Sequence, residues 1–266
     1  MPYAHHQPWP YPRVLAHRGA GARAPENTLA ALRLGRRLGF EAVEFDAVLA
    51  ADGVAVLMHD ASVARTTGVS ALVSALTSRQ LAALDAGHWF GPEFAGEPVP
   101  TLEQAMSLCR QQGTWMNVEI KPTAGAEAET GRQVAAQVAL IFADAIRPHG
   151  DQVSQLVPQV PLLSSFSTQA LQAARAAAPD VPRAWLTQRV TDGWADVLET
   201  HGCVALHTDH TELTAQLAQA IKQAGYWLFC YTVNDPARAA MLRHWGVDAF
   251  CTDQLNLNSA VDRLCL

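Results

Sequence analysis

Three carboxylates lie on two apolar, strand-like segments of the chain. Glu44 and Asp46 alternate with apolar residues in the first segment, and Glu119 stands near the end of the second, two positions before Lys121. Because strand side chains alternate between two faces, Glu44 and Asp46 point to one side, and Glu119 points to the same side as Lys121. A salt bridge to Lys121 would explain one acid, but three close carboxylates repel each other without a cation. We therefore expect one divalent cation, Mg²⁺ or Ca²⁺, which prefer oxygen ligands.

Two histidines accompany these acids at the ends of strand-like segments. His17 is followed by Arg18, and His59 ends the hairpin that begins after the Asp52-Gly53 turn. Two histidines can supply an acid and a base, while a metal, an arginine and a lysine stabilise negative oxygens. This combination is typical of phosphodiester chemistry.

The elements that position these residues alternate between short apolar strands and Ala/Leu-rich helices, which predicts βα units and a parallel sheet. The predicted strands are Val14–His17, Ala42–Asp46, Trp115–Glu119, Leu162–Ser165, Ala184–Thr187, Val204–His207, Trp227–Tyr231 and Ala249–Thr252. The predicted helices include Leu29–Leu38, Gln133–Ile146, Gln169–Ala177, Leu213–Ala224 and Ala237–Trp245, with Asn27 or Thr28 as the first N-cap. Eight strands in a chain of 266 residues predict one α/β domain, a TIM (β/α)₈ barrel.

One interval breaks this rhythm, because the segment from Ala61 to Gly113 separates the second strand region from the third. We interpret it as a small inserted cap after strand 2 within a single domain that spans residues 1–266. A segment inserted at the C-terminal end of a barrel strand would lie over the face where barrel active sites are found.

Composition narrows the function classes. The formal net charge of −6 and the absence of a Lys/Arg block argue against nucleic acid or an anionic membrane as partner. The first twelve residues lack the apolar region of a secretory signal. The five cysteines, Cys109, Cys203, Cys230, Cys251 and Cys265, have no CxxC spacing. We expect a cytoplasmic protein with a small-molecule substrate and no stable membrane anchor; a homodimer is left open.

At this point the sequence resembles the glycerophosphodiester phosphodiesterases, in particular the bacterial cytoplasmic type. The motifs that carry the resemblance are, in order, His17-Arg18-Gly19, Pro25-Glu26-Asn27-Thr28, Glu44-Phe45-Asp46, Asp52-Gly53, His59-Asp60, Arg65-Thr66-Thr67-Gly68, Val99-Pro100-Thr101-Leu102-Glu103, Glu119-Ile120-Lys121, Ser165-Phe166, Thr232-Val233-Asn234 and Thr252-Asp253. The resemblance implies metal-dependent hydrolysis of glycerophosphodiesters to glycerol 3-phosphate and an alcohol.

The resemblance also implies roles for individual residues. Glu44, Asp46 and Glu119 would bind the cation, and His17 and His59 would be the acid/base pair. The implied phosphate- and substrate-binding residues are Arg18, Lys121, Ser165, Tyr231 and Asn234, and the inserted segment would cover the glycerol end. Tyr231 replaces the tryptophan usual in the family, and Gln254-Leu255 replaces a basic residue and proline, which leaves the alcohol preference open.

Other functions are weighed against this one. A barrel glycosidase would use two of the carboxylates but would leave the histidines, Arg18 and Lys121 without a role. A non-catalytic phosphodiester-binding barrel would typically have lost a histidine or a metal ligand. A lysophospholipase D-like enzyme would act on lipid substrates. The sequence also leaves open which histidine is the acid and whether water or the glycerol 2-hydroxyl attacks the phosphorus.

Overall fold

The protein is described by a computed structural model that covers residues 8–146 and 159–256, so Cys265 lies outside the described residues. Its barrel strands are β1 (Val14–Ala16), β2 (Ala42–Leu49), β4 (Trp115–Ile120), β5 (Leu162–Ser165), β6 (Arg183–Thr187), β7 (Ala205–Asp209), β8 (Trp227–Tyr231) and β9 (Ala249–Thr252). Each is parallel to its neighbours, and β1 pairs with both β9 and β2, which closes the sheet. The predicted TIM barrel is confirmed, with each predicted strand within a few residues of its observed position.

The helices are α1 (Leu29–Arg37), α2 (Ala64–Thr67), α3 (Ser78–Ala82), α4 (Leu102–Gln112), α5 (Glu127–Ile141), α6 (Thr168–Ala177), α7 (Trp194–His201), α8 (Ala215–Gln223) and α9 (Pro236–His244). The predicted range Gln133–Ile146 was wrong for α5, which begins six residues earlier and ends five residues earlier. Its first turn is acidic, with Glu127 and Glu129, and acidic side chains are favourable near a helix N-terminus. That turn has no apolar periodicity, so the hydrophobic pattern shows only the later part of the helix.

A hairpin above the barrel brings His59 to the active-site face. The last residues of β2 extend beyond the contact with β1 and pair antiparallel with β3 (Ala55–Leu57), with Ala47 opposite Leu57. The chain therefore runs back toward the barrel, and the Met58 N–H donates to the Asp46 carbonyl oxygen at 3.2 Å. His59 follows directly, so the hairpin brings this histidine close to the carboxylates of β2.

The predicted inserted segment consists of two parts. Its first part, with α2 and α3, packs Val63, Val73 and Leu81 into a small core that includes Val48 of β2 but is separate from the main barrel core. Its last part is α4, whose buried side chains Leu102 and Met106 belong to the main barrel core. The insertion is therefore shorter than the range 61–113: α4, which begins after the Thr101 N-cap, takes the place of the outer helix before β4.

Aromatic side chains close the end of the barrel opposite the site. Trp115 and Trp227 begin β4 and β8, and Tyr11 stacks on Trp115 with ring centroids 4.0 Å apart. Trp9 contacts both tryptophans edge to face. The segment before β1 thus fills the barrel at the N-terminal ends of its strands.

Close packing of α1 holds the loop that carries His17 and Arg18. A Cβ atom added at Gly35, in α1, would lie 2.1 Å from the carbonyl oxygen of Gly19. Gly19 itself has φ +102°, a conformation that favours glycine. The loop can approach the helix this closely only because position 35 has no side chain.

We expect Gly35→Ala to destabilise the protein and to lower turnover. Alanine would gain about 1 kcal/mol of helix propensity over glycine, but its methyl group would push the loop away from α1. Thermal unfolding and steady-state kinetics measure both effects. Arg33→Ala, at an exposed position of the same helix, is the control, and a more stable, fully active Gly35→Ala protein would contradict the packing argument.

Candidate active site

The three predicted carboxylates converge at the C-terminal ends of the barrel strands. Asp46 in β2 is the register partner of Glu119 in β4, and Glu44 points to the same side two positions earlier. One carboxylate oxygen from each of the three acids lies within 4.8 Å of the others. Their side chains are largely buried, so ionisation of each acid places a charge in a region with little water.

Two cations balance only part of this negative charge. The Lys121 Nζ atom lies 3.2 Å from Glu119 Oε1 and 3.6 Å from Asp46 Oδ1, and Arg18 Nε lies 3.5 Å from Asp46 Oδ2. Burial and the charge of Asp46 raise the pKa values of Glu44 and Glu119. Burial also disfavours ionisation of Asp46, but Lys121 and Arg18 outweigh it and lower its pKa. An all-oxygen donor set with excess negative charge fits a hard divalent cation.

The carboxylates are fixed by backbone and amide groups. Asn27 donates from Nδ2 to Asp46 Oδ2 at 2.8 Å and accepts from the Asp46 N–H at 3.1 Å, while the Arg18 N–H donates to Glu44 Oε2 at 3.2 Å. Both Arg18 and Asn27 have positive φ, at 50° and 58°, a left-handed conformation that costs energy for residues other than glycine. Thr28, rather than Asn27, caps α1, so sequence reasoning missed the role of Asn27.

His17 is oriented by two residues near the end of the barrel sequence. Its Nδ1 atom lies 2.7 Å from Asp253 Oδ1, and its Nε2 atom lies 3.8 Å from Glu44 Oε2. Asn234 donates to Asp253 Oδ2 at 3.0 Å. Burial favours the neutral ring, but the hydrogen bond to Asp253 and the charge of Glu44 outweigh it and raise the pKa of His17. Its Nε2 atom is directed toward the carboxylate cluster.

His59 is oriented by a chain of ion pairs that begins in the inserted segment. Its Nδ1 atom lies 2.7 Å from Asp60 Oδ1, and Asp60 accepts from Arg65 Nε at 2.7 Å. Arg65, in α2, also makes two hydrogen bonds of 2.7 Å to Glu26, which accepts a third from Arg18 at 2.9 Å. Burial lowers the pKa of His59 despite the nearby Asp46 and Asp60. The network links His59 to the phosphate-binding candidate Arg18.

A cavity of about 180 Å³ connects these groups. Eight of the ten sequence-predicted site residues line it, namely His17, Arg18, Glu44, Asp46, His59, Glu119, Lys121 and Tyr231. None of the residues from 61 to 113 is among those lining it, so His59 and the barrel strands provide its surface rather than the inserted segment.

Ser165 and Asn234 stand outside the lining of this cavity. Ser165 Oγ donates to the Ile120 carbonyl oxygen at 2.7 Å and accepts from the Ser167 N–H at 3.1 Å. Ser164, the register partner of Glu119, faces the cavity instead. Asn234 donates to Asp253 and accepts from the Thr252 hydroxyl. Direct substrate contact by Ser165 and Asn234 stays a prediction, and in this structure both side chains are engaged within the protein.

Several lining residues were missed by the sequence analysis. They are Asn117, Ser164, Phe166, Leu186, His207, Phe229, Thr232 and Cys251. The alternation used for Glu119 would have found Asn117, two positions earlier on the same strand. For Ser164, His207 and Phe229 the missing information is the register of β5, β7 and β8, which depends on the neighbouring strands.

Comparison with known proteins places this geometry in a family. The model of the glycerophosphoryl diester phosphodiesterase family matches residues 17–257. The chain belongs to this family. It is 30% identical over 241 residues to a glycerophosphodiester phosphodiesterase of Caldanaerobacter subterraneus subsp. tengcongensis, an alignment that covers 90% of this chain and 93% of the relative. The predicted family and enzyme class are confirmed.

A solved structure supports the same assignment. A phosphodiesterase of Oleispira antarctica, in complex with the product sn-glycerol-3-phosphate, has 35% sequence identity and a TM-score of 0.84 to this chain. The similarity covers 94% of this chain and 97% of the other. Membership of the glycerophosphoryl diester phosphodiesterase family therefore rests on both sequence and fold.

We expect the affinity for Mg²⁺ or Ca²⁺ to decrease as the pH falls. Protons compete with the cation for Glu44 and Glu119, and because the pKa values of both acids are raised, this competition begins above the usual carboxylate range. Isothermal titration calorimetry at several pH values measures the effect.

The same titration tests the ligands. Asp46→Ala and Glu119→Ala should each reduce affinity by at least the roughly 10–100-fold lost when a supporting residue is removed. Glu103→Ala, at an exposed acid of α4, is the control. Unchanged affinity in either ligand variant would rule out the proposed metal site.

Proposed function

We propose that the chain hydrolyses glycerophosphodiesters to glycerol 3-phosphate and an alcohol, with one divalent cation, Mg²⁺ or Ca²⁺, and two catalytic histidines. The observation that carries this proposal is the convergence of Glu44, Asp46 and Glu119 with His17 and His59 around one cavity. Each histidine forms a hydrogen bond with a carboxylate through one ring nitrogen, which orients its ring.

The charged residues would bind the phosphate. A divalent cation held by Glu44, Asp46 and Glu119 would polarise the phosphoryl oxygens. Arg18 and Lys121 line the same cavity, and both cations are held by carboxylates that keep their side chains in place. They would stabilise negative charge as it develops on the phosphoryl oxygens.

The two histidines would transfer protons on the two sides of the phosphorus. Asp253 and Asp60 engage the Nδ1 atoms of His17 and His59, so in each ring Nε2 is left for substrate. One ring would accept the proton of the attacking group, either water or the glycerol 2-hydroxyl, and the other would donate a proton to the departing alcohol oxygen. If the 2-hydroxyl attacks, the same two rings would exchange roles while water opens the cyclic phosphate. Asp253 and Asp60 are positioning residues in this scheme.

The set of cavity residues favours this function over the alternatives. A glycosidase uses two carboxyl groups across a sugar, which would leave both histidines, Arg18 and Lys121 in the same cavity without a role. The cavity of about 180 Å³ suits a small head-group diester. Lipid substrates remain a second candidate because Phe166, which lines the cavity, is 48% exposed and packs edge to face on Tyr231.

The expected location and partners remain part of the proposal. No helix within the described residues is long and apolar enough to cross a membrane. Four cysteines, Cys109, Cys203, Cys230 and Cys251, are buried as free thiols, which is compatible with a reducing cytoplasm. The homodimer stays open.

The activity is tested with a panel of glycerophosphodiesters that differ in their alcohol, with released glycerol 3-phosphate as the readout. Turnover should require Mg²⁺ or Ca²⁺, and a chelator should abolish it until the ion is restored. Parallel assays of lysophospholipids and chromogenic glycosides cover the alternatives. Full activity in metal-stripped protein, or no glycerol 3-phosphate from any diester, would overturn the proposal.

We expect His17→Ala and His59→Ala each to lower the rate by a factor on the order of 10²–10⁴, the usual contribution of a positioned acid or base. Metal affinity and thermal stability should stay near those of the unmodified protein. His88→Ala, at an exposed histidine of the inserted segment, should retain the full rate. A rate within a few-fold of the unmodified protein after either substitution would show that this histidine is structural.

A further inference from the structure

Three uncharged polar side chains line the catalytic cavity from barrel strands other than those of His17 and Glu44. Asn117 lies on β4, Ser164 on β5 and His207 on β7, and each lines the cavity. All are buried, with exposed fractions of 3%, 0% and 0%. We call these three residues the polar wall. None of them belongs to the predicted metal, histidine or phosphate-binding sets.

Several atoms of the polar wall have no hydrogen-bond partner within the described part of the protein. They are Asn117 Oδ1, Ser164 Oγ and both ring nitrogens of His207. A buried polar atom without a partner costs about 1–3 kcal/mol. A group that enters the cavity could supply the hydrogen-bond partners that these atoms lack.

The chemistry of the polar wall selects an uncharged ligand group with hydroxyls. Burial lowers the pKa of His207 to about 3, so its ring is neutral and offers one donor and one acceptor. A serine hydroxyl also does both, and Asn117 Oδ1 accepts. A phosphate would need positive charge, which Arg18 and Lys121 supply elsewhere in the cavity. An apolar group would leave the polar atoms unsatisfied.

The register places the polar wall beside the metal ligands. Ser164 is the register partner of Glu119, and Asn117 is that of Glu44. His207 stacks on Phe229, with ring centroids 4.5 Å apart, which fixes the plane of its ring. A phosphate at the carboxylate cluster would therefore have the polar wall on its inner side and the exposed Phe166 toward solvent.

On these grounds we propose that Asn117, Ser164 and His207 bind the hydroxyl groups of the glycerol portion of the substrate. This inference rests on the proposed function. It assigns each end of the diester to one side of the cavity. The invariant glycerol enters the closed, hydroxyl-binding side, while the variable alcohol lies toward Phe166 and Tyr231, where a larger group has room. The polar wall would thus determine specificity for the glycerol end.

The test compares binding of two ligands to the metal-loaded protein. Glycerol 3-phosphate and propyl phosphate have the same carbon skeleton and phosphate, but propyl phosphate lacks both hydroxyls. Calorimetric titration gives the ratio of their dissociation constants. We expect the unmodified protein to bind glycerol 3-phosphate at least about 10-fold more tightly, a factor within the range that hydrogen bonds to a buried site contribute.

Ser164→Ala and His207→Phe should each reduce this ratio by about 5-fold or more, because a hydroxyl partner is lost, while the affinity for propyl phosphate stays within about 2-fold. Thr208→Val is the matched control: Thr208 is equally buried on β7, and its hydroxyl contacts the Gln188 carbonyl oxygen at 3.4 Å rather than the cavity. Thermal unfolding checks that each variant is folded, and if His207→Phe fails to fold, Ser164→Ala decides.

An unmodified protein that binds both ligands equally would overturn the assignment. So would variants that keep the full ratio, or that weaken both ligands alike. Failure of the proposed function has a different signature, because it appears as absent glycerol 3-phosphate release in the diester assay. A protein that hydrolyses glycerophosphodiesters but does not distinguish the two ligands would refute the polar wall alone.

Discussion

Repulsion among three buried carboxylates is the constraint on which the rest of this site depends. Glu44, Asp46 and Glu119 have oxygens within 4.8 Å of each other in a region with little water. Charges so placed are costly unless cations or donors compensate them. Lys121 and Arg18 lower the pKa of Asp46, but burial and the charge of Asp46 keep the pKa values of Glu44 and Glu119 raised even though Lys121 also contacts Glu119. The protein thus holds a negative site that a bound cation would complete.

The supports of the site come from distant parts of the sequence. Asp253 and Asn234, near the end of the barrel, hold His17. Asp60 and Arg65 hold His59, and Arg65 reaches back through Glu26 to Arg18. The inserted segment therefore contributes through an ion-pair network rather than by lining the cavity. Close packing of Gly35 on Gly19 fixes the loop that carries His17 and Arg18. The barrel and the inserted segment therefore both help to position the side chains that line the cavity.

Much of the fold and the central site followed from alternation along single strands. The strands of the barrel were predictable because apolar runs are short and separated by helical segments. Glu44, Asp46 and Glu119 were predictable because residues two apart on a strand share a face. What could not be predicted depends on pairing between strands: Ser164 rather than Ser165 faces the cavity because Ser164 is level with Glu119. The end of the insertion was misplaced because α4 packs in the barrel core.

The distribution of charge within the cavity gives the substrate a direction. Charged groups cluster at β2, β4 and the His17 loop, where Arg18 and Lys121 would stabilise the negative charge of a phosphate. The polar wall adds neutral donors and acceptors to the same cavity, near Leu186 and Phe229, and a charged group bound beside them would lose its hydration without compensation. A glycerophosphodiester has this same division into a charged phosphate and neutral hydroxyls. Recognition of the glycerol would then be separate from stabilisation of the phosphate, so that variation at Tyr231 and Phe166 could change the preferred alcohol without disturbing the catalytic groups.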